Sequence, residues 1–126
     1  MNIIKVIQAK EVFAPYFREK LSPSLSYKIY KFCKLVEQEE MFYNQKMKEI
    51  IEEFAQRNDN GGIESNDGRI RIDSKRTNEA NQAVKDLQSI NVEVPNVKFT
   101  LDELSEIKLS VTDIVALDEF IVENNN

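Results

Sequence analysis

The stretch SLSYKIYKFCKLVEQEEMFYNQKMKEIIEEFAQR, residues 24–57, decides the fold. It holds neither Gly nor Pro, and the Ser22-Pro23-Ser24 step before it offers an N-cap, so one long helix is expected over about 24–57. Ile29, Val36, Tyr43 and Ile50 recur every seven residues along it, and Cys33, Met47 and Phe54 extend the same apolar stripe. At 1.5 Å per residue the helix would run about 50 Å, more than one compact core covers. Its middle, Glu37 to Glu40, is polar all round, which leaves two outcomes: a break there, or a helix that projects past the body. The stripe Ile29, Val36, Tyr43, Met47 and Ile50 has two uses as well. It is either a seam between copies in a homo-oligomer or, as is more frequent, a face packed on the chain's own second half.

Working outward, IIKVI at 3–7 is β-branched except for Lys5 and reads as a short strand. AKEVFAPYFREKL follows, with Phe13, Phe17 and Leu21 spaced by four as on a helix; Pro15 either kinks that helix or is the first residue of a new one. Beyond the long helix, Asn58 to Gly62 is a stop signal, and the alternation of GGIE, SNDG and RIRI predicts a β-hairpin over about 61–73. Ala80, Ala83, Val84 and Leu87 predict a helix over 77–88, while INVEV at 90–94 and VKFTL at 97–101 read as strands. Ser110 and Asp113 form a capping-box variant that opens a helix over about 110–123, with Ile114, Leu117 and Ile121 on its buried face. The fold class is therefore α+β, a single domain spanning 1–126. One long helix and two or three shorter ones pack on a small, mainly antiparallel sheet with a β-hairpin.

Composition narrows the function. A 126-residue chain that is 41% hydrophobic has enough apolar surface for a core. The net charge of −5 is uneven: residues 89–126 carry two Lys/Arg against eight Asp/Glu, a local −6. That excess disfavours nucleic acid, which needs accumulated positive charge. It suits an acidic face for a basic protein, or a solvated surface. One cysteine cannot form an internal disulfide, no run reaches the roughly 20 apolar residues of a membrane span, and the first residues lack a signal-peptide layout, so a cytoplasmic protein is expected.

DNGGIESNDGRIRID, residues 59–73, resembles a calcium loop in sound only. With Gly68 at the sixth position of a helix-loop-helix calcium site, Ile63 falls at the first and Ser74 at the twelfth, and neither supplies the carboxylate required. No metal and no cofactor are expected. The cations Arg69, Arg71, Lys75 and Arg76 are the candidate binding residues, because arginines on one strand face can hold a phosphate or carboxylate bidentately. The competing reading is a solvated hairpin face paired with Glu64. Catalysis has little support: there is no His, Cys33 lies on the buried stripe, and acidic neighbours such as Glu39/Glu40 do not face one another on a helix. A non-enzyme is expected.

The order of these features, carried by LSPSLSYKIYKFCKLVEQEE, NDNGGIESNDGRIRID and KLSVTDIVALDEFIVE (108–123), is similar to a family of small, uncharacterised phage and prophage proteins from siphophages of Gram-positive hosts. Leu109, Ser110, Asp113, Leu117 and Phe120 carry the most specific part. The resemblance implies a phage protein in the cytoplasm of an infected bacterial host, and it brings no catalytic residues. Two roles follow. One is a non-catalytic anti-defence inhibitor that binds a host protein or sequesters an anionic nucleotide signal. The other is a virion morphogenesis or assembly-chaperone protein that binds phage partners. The cationic hairpin on an acidic body favours the inhibitor.

Overall fold

The computed structural model describes residues 1–66 and 68–123; Asp67, half of the expected Asp67-Gly68 turn, lies outside the described residues. The protein mixes helix and strand. In chain order come helix α1 (Ile3–Phe13), helix α2 (Pro23–Phe54), strands β1 (Ser65–Asn66) and β2 (Arg69–Ile70), and helix α3 (Thr77–Gln88). Strand β3 (Phe99–Thr100), the one-turn helix α4 (Leu101–Leu104), helix α5 (Val111–Leu117) and strand β4 (Ile121–Val122) complete it. Short 3-10 turns cover Ala14–Tyr16, Ser74–Arg76 and Asp118–Phe120. The chain divides into two compact units, Met1–Glu40 with Asn91–Asn126, and Met41–Ile90. No described helix is long and apolar enough to cross a membrane.

The long helix is continuous, without a break at Glu37–Glu40. It starts where the sequence signals: Ser22 Oγ accepts from Leu25 N at 3.3 Å, and Pro23 occupies the first helical position, where its missing N–H costs nothing. It ends at Phe54, three residues before the expected 57, because the backbone of 55–57 is drawn into ladder bonds. Gln56 N donates to Arg71 O at 2.7 Å, Glu64 N donates to Gln56 O at 2.8 Å, and bridges join Ala55 to Ile72 and Arg57 to Ile63.

The first unit is centred on four fully buried phenylalanines, Phe13, Phe32, Phe99 and Phe120. Phe32 lies edge-on to the other three, at ring-centroid distances of 5.7, 6.0 and 4.8 Å from Phe13, Phe99 and Phe120. Within α2 the buried face of this unit is Leu25, Ile29, Phe32 and Val36, spaced by four, three and four.

Three expectations fail here. The segment 3–7 is helix, not strand. In a strand Lys5 would share a face with Ile3 and Ile7, whereas in α1 Ile3, Val6, Ile7 and Phe13 are buried together and Lys5 is exposed. Burial of that stripe outweighs the few tenths of a kcal/mol that β-branched residues lose in a helix. The helix expected across Pro15 is interrupted: α1 ends at Phe13, Pro15 sits in a 3-10 turn, and Phe17 is left exposed. The mainly antiparallel sheet does not form. In this unit the only described strand pair is parallel, Phe99 opposite Ile121 and Thr100 opposite Val122. It stays two residues long because Thr100 is also the N-cap of α4, with Glu103 N donating to Thr100 Oγ1 at 3.1 Å. The segment 90–94 contributes one bridge, Asn2 to Asn91, because α1 begins at Ile3 and leaves it no longer partner.

The Ser110/Asp113 capping box does open α5. The helix is shorter than the expected 110–123, however. It ends at Leu117, a 3-10 turn carries Phe120 into the core, and Ile121 is extended backbone in β4.

The second unit has a thin core of Phe54, Ala55, Ala80 and Leu87, contributed by the end of α2, the bridge residue after it and one face of α3. Between these elements the chain folds into short ladders. Asn58 Oδ1 accepts from Asn60 N and Gly62 N, both at 3.0 Å, and Gly61 takes φ +80°, which its missing side chain permits. The antiparallel pairing expected over about 61–73 amounts to two residue pairs, Ser65 with Ile70 and Asn66 with Arg69.

Candidate functional site

The four cations singled out by sequence do not act as one group. Arg76 is turned onto the end of α2. Its guanidinium carbon lies 4.4 Å from the centroid of the Phe54 ring, Nη1 donates to Glu53 O at 3.2 Å, and Nη2 pairs with Glu79 at 3.3 Å. It satisfies a helix-end carbonyl that has no partner within the helix. Arg69, Arg71 and Lys75 are exposed and form no ion pair among the described residues. β2 stops at Ile70, so Arg69 and Arg71 do not lie together on a strand, and Glu64 meets Arg71 only through the backbone, Arg71 N to Glu64 O at 3.5 Å. A four-cation anion site therefore loses Arg76 to a structural role.

The seam residues are also accounted for within each unit. Ile29 and Val36 are buried in the first unit and offer nothing to a second copy. Tyr43, Met47 and Ile50 are half-buried in the second, where the Tyr43 hydroxyl accepts from Gln88 Nε2 at 3.4 Å. Ile29 and Val36 thus pack within the chain, and Tyr43, Met47 and Ile50 keep part of their surface exposed.

The feature that sequence reading missed lies in the first unit, where the interrupted helix opens a groove of about 320 Å³. Its outer wall is the turn and loop from Tyr16 to Leu21, and its inner wall is the first turns of α2, with Ile29, Tyr30 and Cys33. The loop is latched. The Tyr16 hydroxyl donates to Lys108 O, and Ser22 donates to the Glu106 carboxylate through N at 2.7 Å and Oγ at 2.5 Å. These bonds, from the Ser22 side chain first, hold the Glu106 carboxyl below its ordinary range. Within the loop Glu19 N donates to Tyr16 O at 3.1 Å. The rim carries Phe17 and Tyr30, 55% and 62% exposed, and Tyr27 stands beside Tyr30 with ring centroids 6.2 Å apart.

The groove's chemistry is apolar. Glu19 is the one charged residue of its lining. Burial pushes the Cys33 thiol upward, with nearby Lys10 opposing and Glu40 assisting, so it stays protonated at neutral pH and behaves as a small hydrophobe. Among the described residues no three His, Cys, Asp or Glu side chains are grouped as metal ligands. Exposed aromatics over a preformed apolar recess suit a protruding apolar side chain of another protein. The available signal was Pro15 between Phe13 and Phe17, together with two tyrosines off the buried stripe. No family model, curated protein or solved structure matches this chain.

Proposed function

We propose that this chain is a non-catalytic binding protein that takes an apolar side chain of a protein partner into the groove between Tyr16–Leu21 and the start of α2. The observation that carries the reading is the pairing of a latched, preformed recess with exposed Phe17 and Tyr30 on its rim. An exposed aromatic rim is a liability for a chain with no partner, whereas at an interface the same residues supply most of the binding energy. Latching lowers the ordering cost of association. The similarity to phage proteins, carried by sequence patterns alone, gives the proposal its setting in an infected bacterial cell, with a host defence protein or a virion protein as the partner.

A photoreactive residue placed at Tyr30 tests it, with the exposed Asn81 of α3 as the control position. The expected result is one discrete adduct from Tyr30 and none from Asn81. The identity of the captured protein, host factor or capsid or tail component, separates inhibition from assembly. Equal crosslinking from both positions, or none from Tyr30, overturns the reading.

A further inference from the structure

α5 turns Leu117 fully into the core, yet Val111 and Val115, one helical turn apart, are 81% and 69% exposed. Exposed valines do not help a seven-residue helix, since valine is a poorer helix former than alanine. Val115 borders two grooves along the packing of α5 on α1. One, of about 420 Å³, lies against Glu11 and Val12 on one side and Thr112 and Asp113 on the other. The other, of about 290 Å³, lies against Lys5 on one side and Asp118 and Glu119 on the other. Both are lined by Gln8, Val115 and Ala116, so together they make one trough with Val115 in its middle.

The charge along it is one-sided. Its lining holds Glu11, Asp113, Asp118 and Glu119 against one cation, Lys5, while Lys98 Nζ, outside the lining, donates to Glu119 O at 2.7 Å. Asp113 is engaged by Ser110 N at 3.0 Å, while Glu11, Asp118 and Glu119 enter no ion pair among the described residues. The same carboxylates repel nucleic acid and anionic lipid surfaces. An apolar ridge between acidic margins complements an amphipathic segment with apolar residues along one face and Lys or Arg on its flanks.

We infer that the α1/α5 trough docks a basic amphipathic segment of a partner protein, with apolar side chains on Val115 and Ala116 and cations against Glu11, Asp118 and Glu119. The trough shares no lining residue with the Tyr30 groove, and the inference stands without that reading.

The test titrates the full-length, 15N-labelled chain with a synthetic leucine/lysine amphipathic helical peptide and, separately, with its leucine/glutamate counterpart. Amide shift changes are expected at residues 8–12 and 111–119 with the basic peptide only, weakening as ionic strength rises from about 0.05 to about 0.5 M. Val115→Asp and, as an independent charge reversal, Glu119→Lys each lower the affinity about tenfold, equivalent to ~1.4 kcal/mol. Both positions are exposed, and circular dichroism checks that each variant is folded. Absence of binding, shifts that avoid the trough, equal binding of the acidic peptide, or unchanged affinity in folded Val115→Asp each overturn the inference. So does self-association that Val115→Asp abolishes, since that makes a second copy the occupant.

Discussion

Replacing Arg76 by alanine separates a ligand-binding arginine from a structural one. The side chain makes three contacts that alanine cannot: the stack on Phe54 at 4.4 Å, the bond to Glu53 O at 3.2 Å and the pair with Glu79 at 3.3 Å. An exposed cation–π contact contributes about 0.5–1 kcal/mol. A hydrogen bond to a helix-end carbonyl contributes a net of about 0.5–1.5 kcal/mol. The Glu79 pair adds little, since the Arg76 and Glu79 side chains are 38% and 64% exposed and solvent screens them. The sum is about 1–2.5 kcal/mol. That is a large share for a unit of roughly 50 residues, whose total stability by the usual per-residue range is about 3–7 kcal/mol. Native-state hydrogen exchange reads it directly. Amides in α3 and the last turns of α2 should lose about 5–70-fold of their protection in Arg76→Ala. Arg76→Lys keeps the charge but loses the flat stack, and should fall between. Arg69→Ala should change protection by less than about twofold, as exposed substitutions usually do. Equal effects of Arg76→Ala and Arg69→Ala would return Arg76 to the candidate ligand site.

Other perturbations address the first unit. Phe32→Ala should cost about 3–5 kcal/mol in urea unfolding, because a fully buried ring with three edge-on aromatic partners leaves a cavity that the unit cannot close. The Glu103 carboxyl is held below its ordinary value of 4.5, first by Lys28 Nζ at 2.8 Å and then by Thr100. A depressed folded value adds stability that is present above pH 4.5 and lost as pH falls through the folded value. Glu103→Gln keeps a capping side chain but not the charge, so the stability-versus-pH slope below 4.5 should become shallower in acid titrations followed by circular dichroism. Ser22→Ala removes the cap of α2 and the side-chain half of the latch to Glu106, leaving the bond from Ser22 N. Loss of the cap should cost about 1 kcal/mol, and the Glu106 carboxyl should titrate higher by 13C NMR.

What the sequence disclosed depends on how local each signal is. The helix at 77–88 and the Ser110/Asp113 box are set by residues within one or two turns, and both are present. The start of α2 was legible for the same reason, but its end was not, since ladder partners at Ile63, Glu64, Arg71 and Ile72 remove 55–57 from the helix. At 3–7, β-branched character suggested a strand, and the position of Lys5 relative to Ile3 and Ile7 was the overlooked contrary sign. The sheet was overestimated because pairing of VKFTL stops at Thr100, where the backbone turns into the N-cap of α4. Arg76 looked like its neighbours until Phe54 and Glu53 were brought beneath it. The groove was beyond local reading, because its latches join Tyr16 to Lys108 and Ser22 to Glu106 across most of the sequence.

In the proposed function the Phe17–Tyr30 rim, rather than the arginine-rich hairpin, engages the partner. Calorimetric titration of the protein captured from position 30 decides it. Tyr30→Asp should weaken binding about a hundredfold, the ~2–3 kcal/mol expected of an aromatic anchor, while Arg69→Ala combined with Arg71→Ala stays within about threefold of the parent. Loss of binding in the arginine double variant with an unchanged Tyr30→Asp would contradict it.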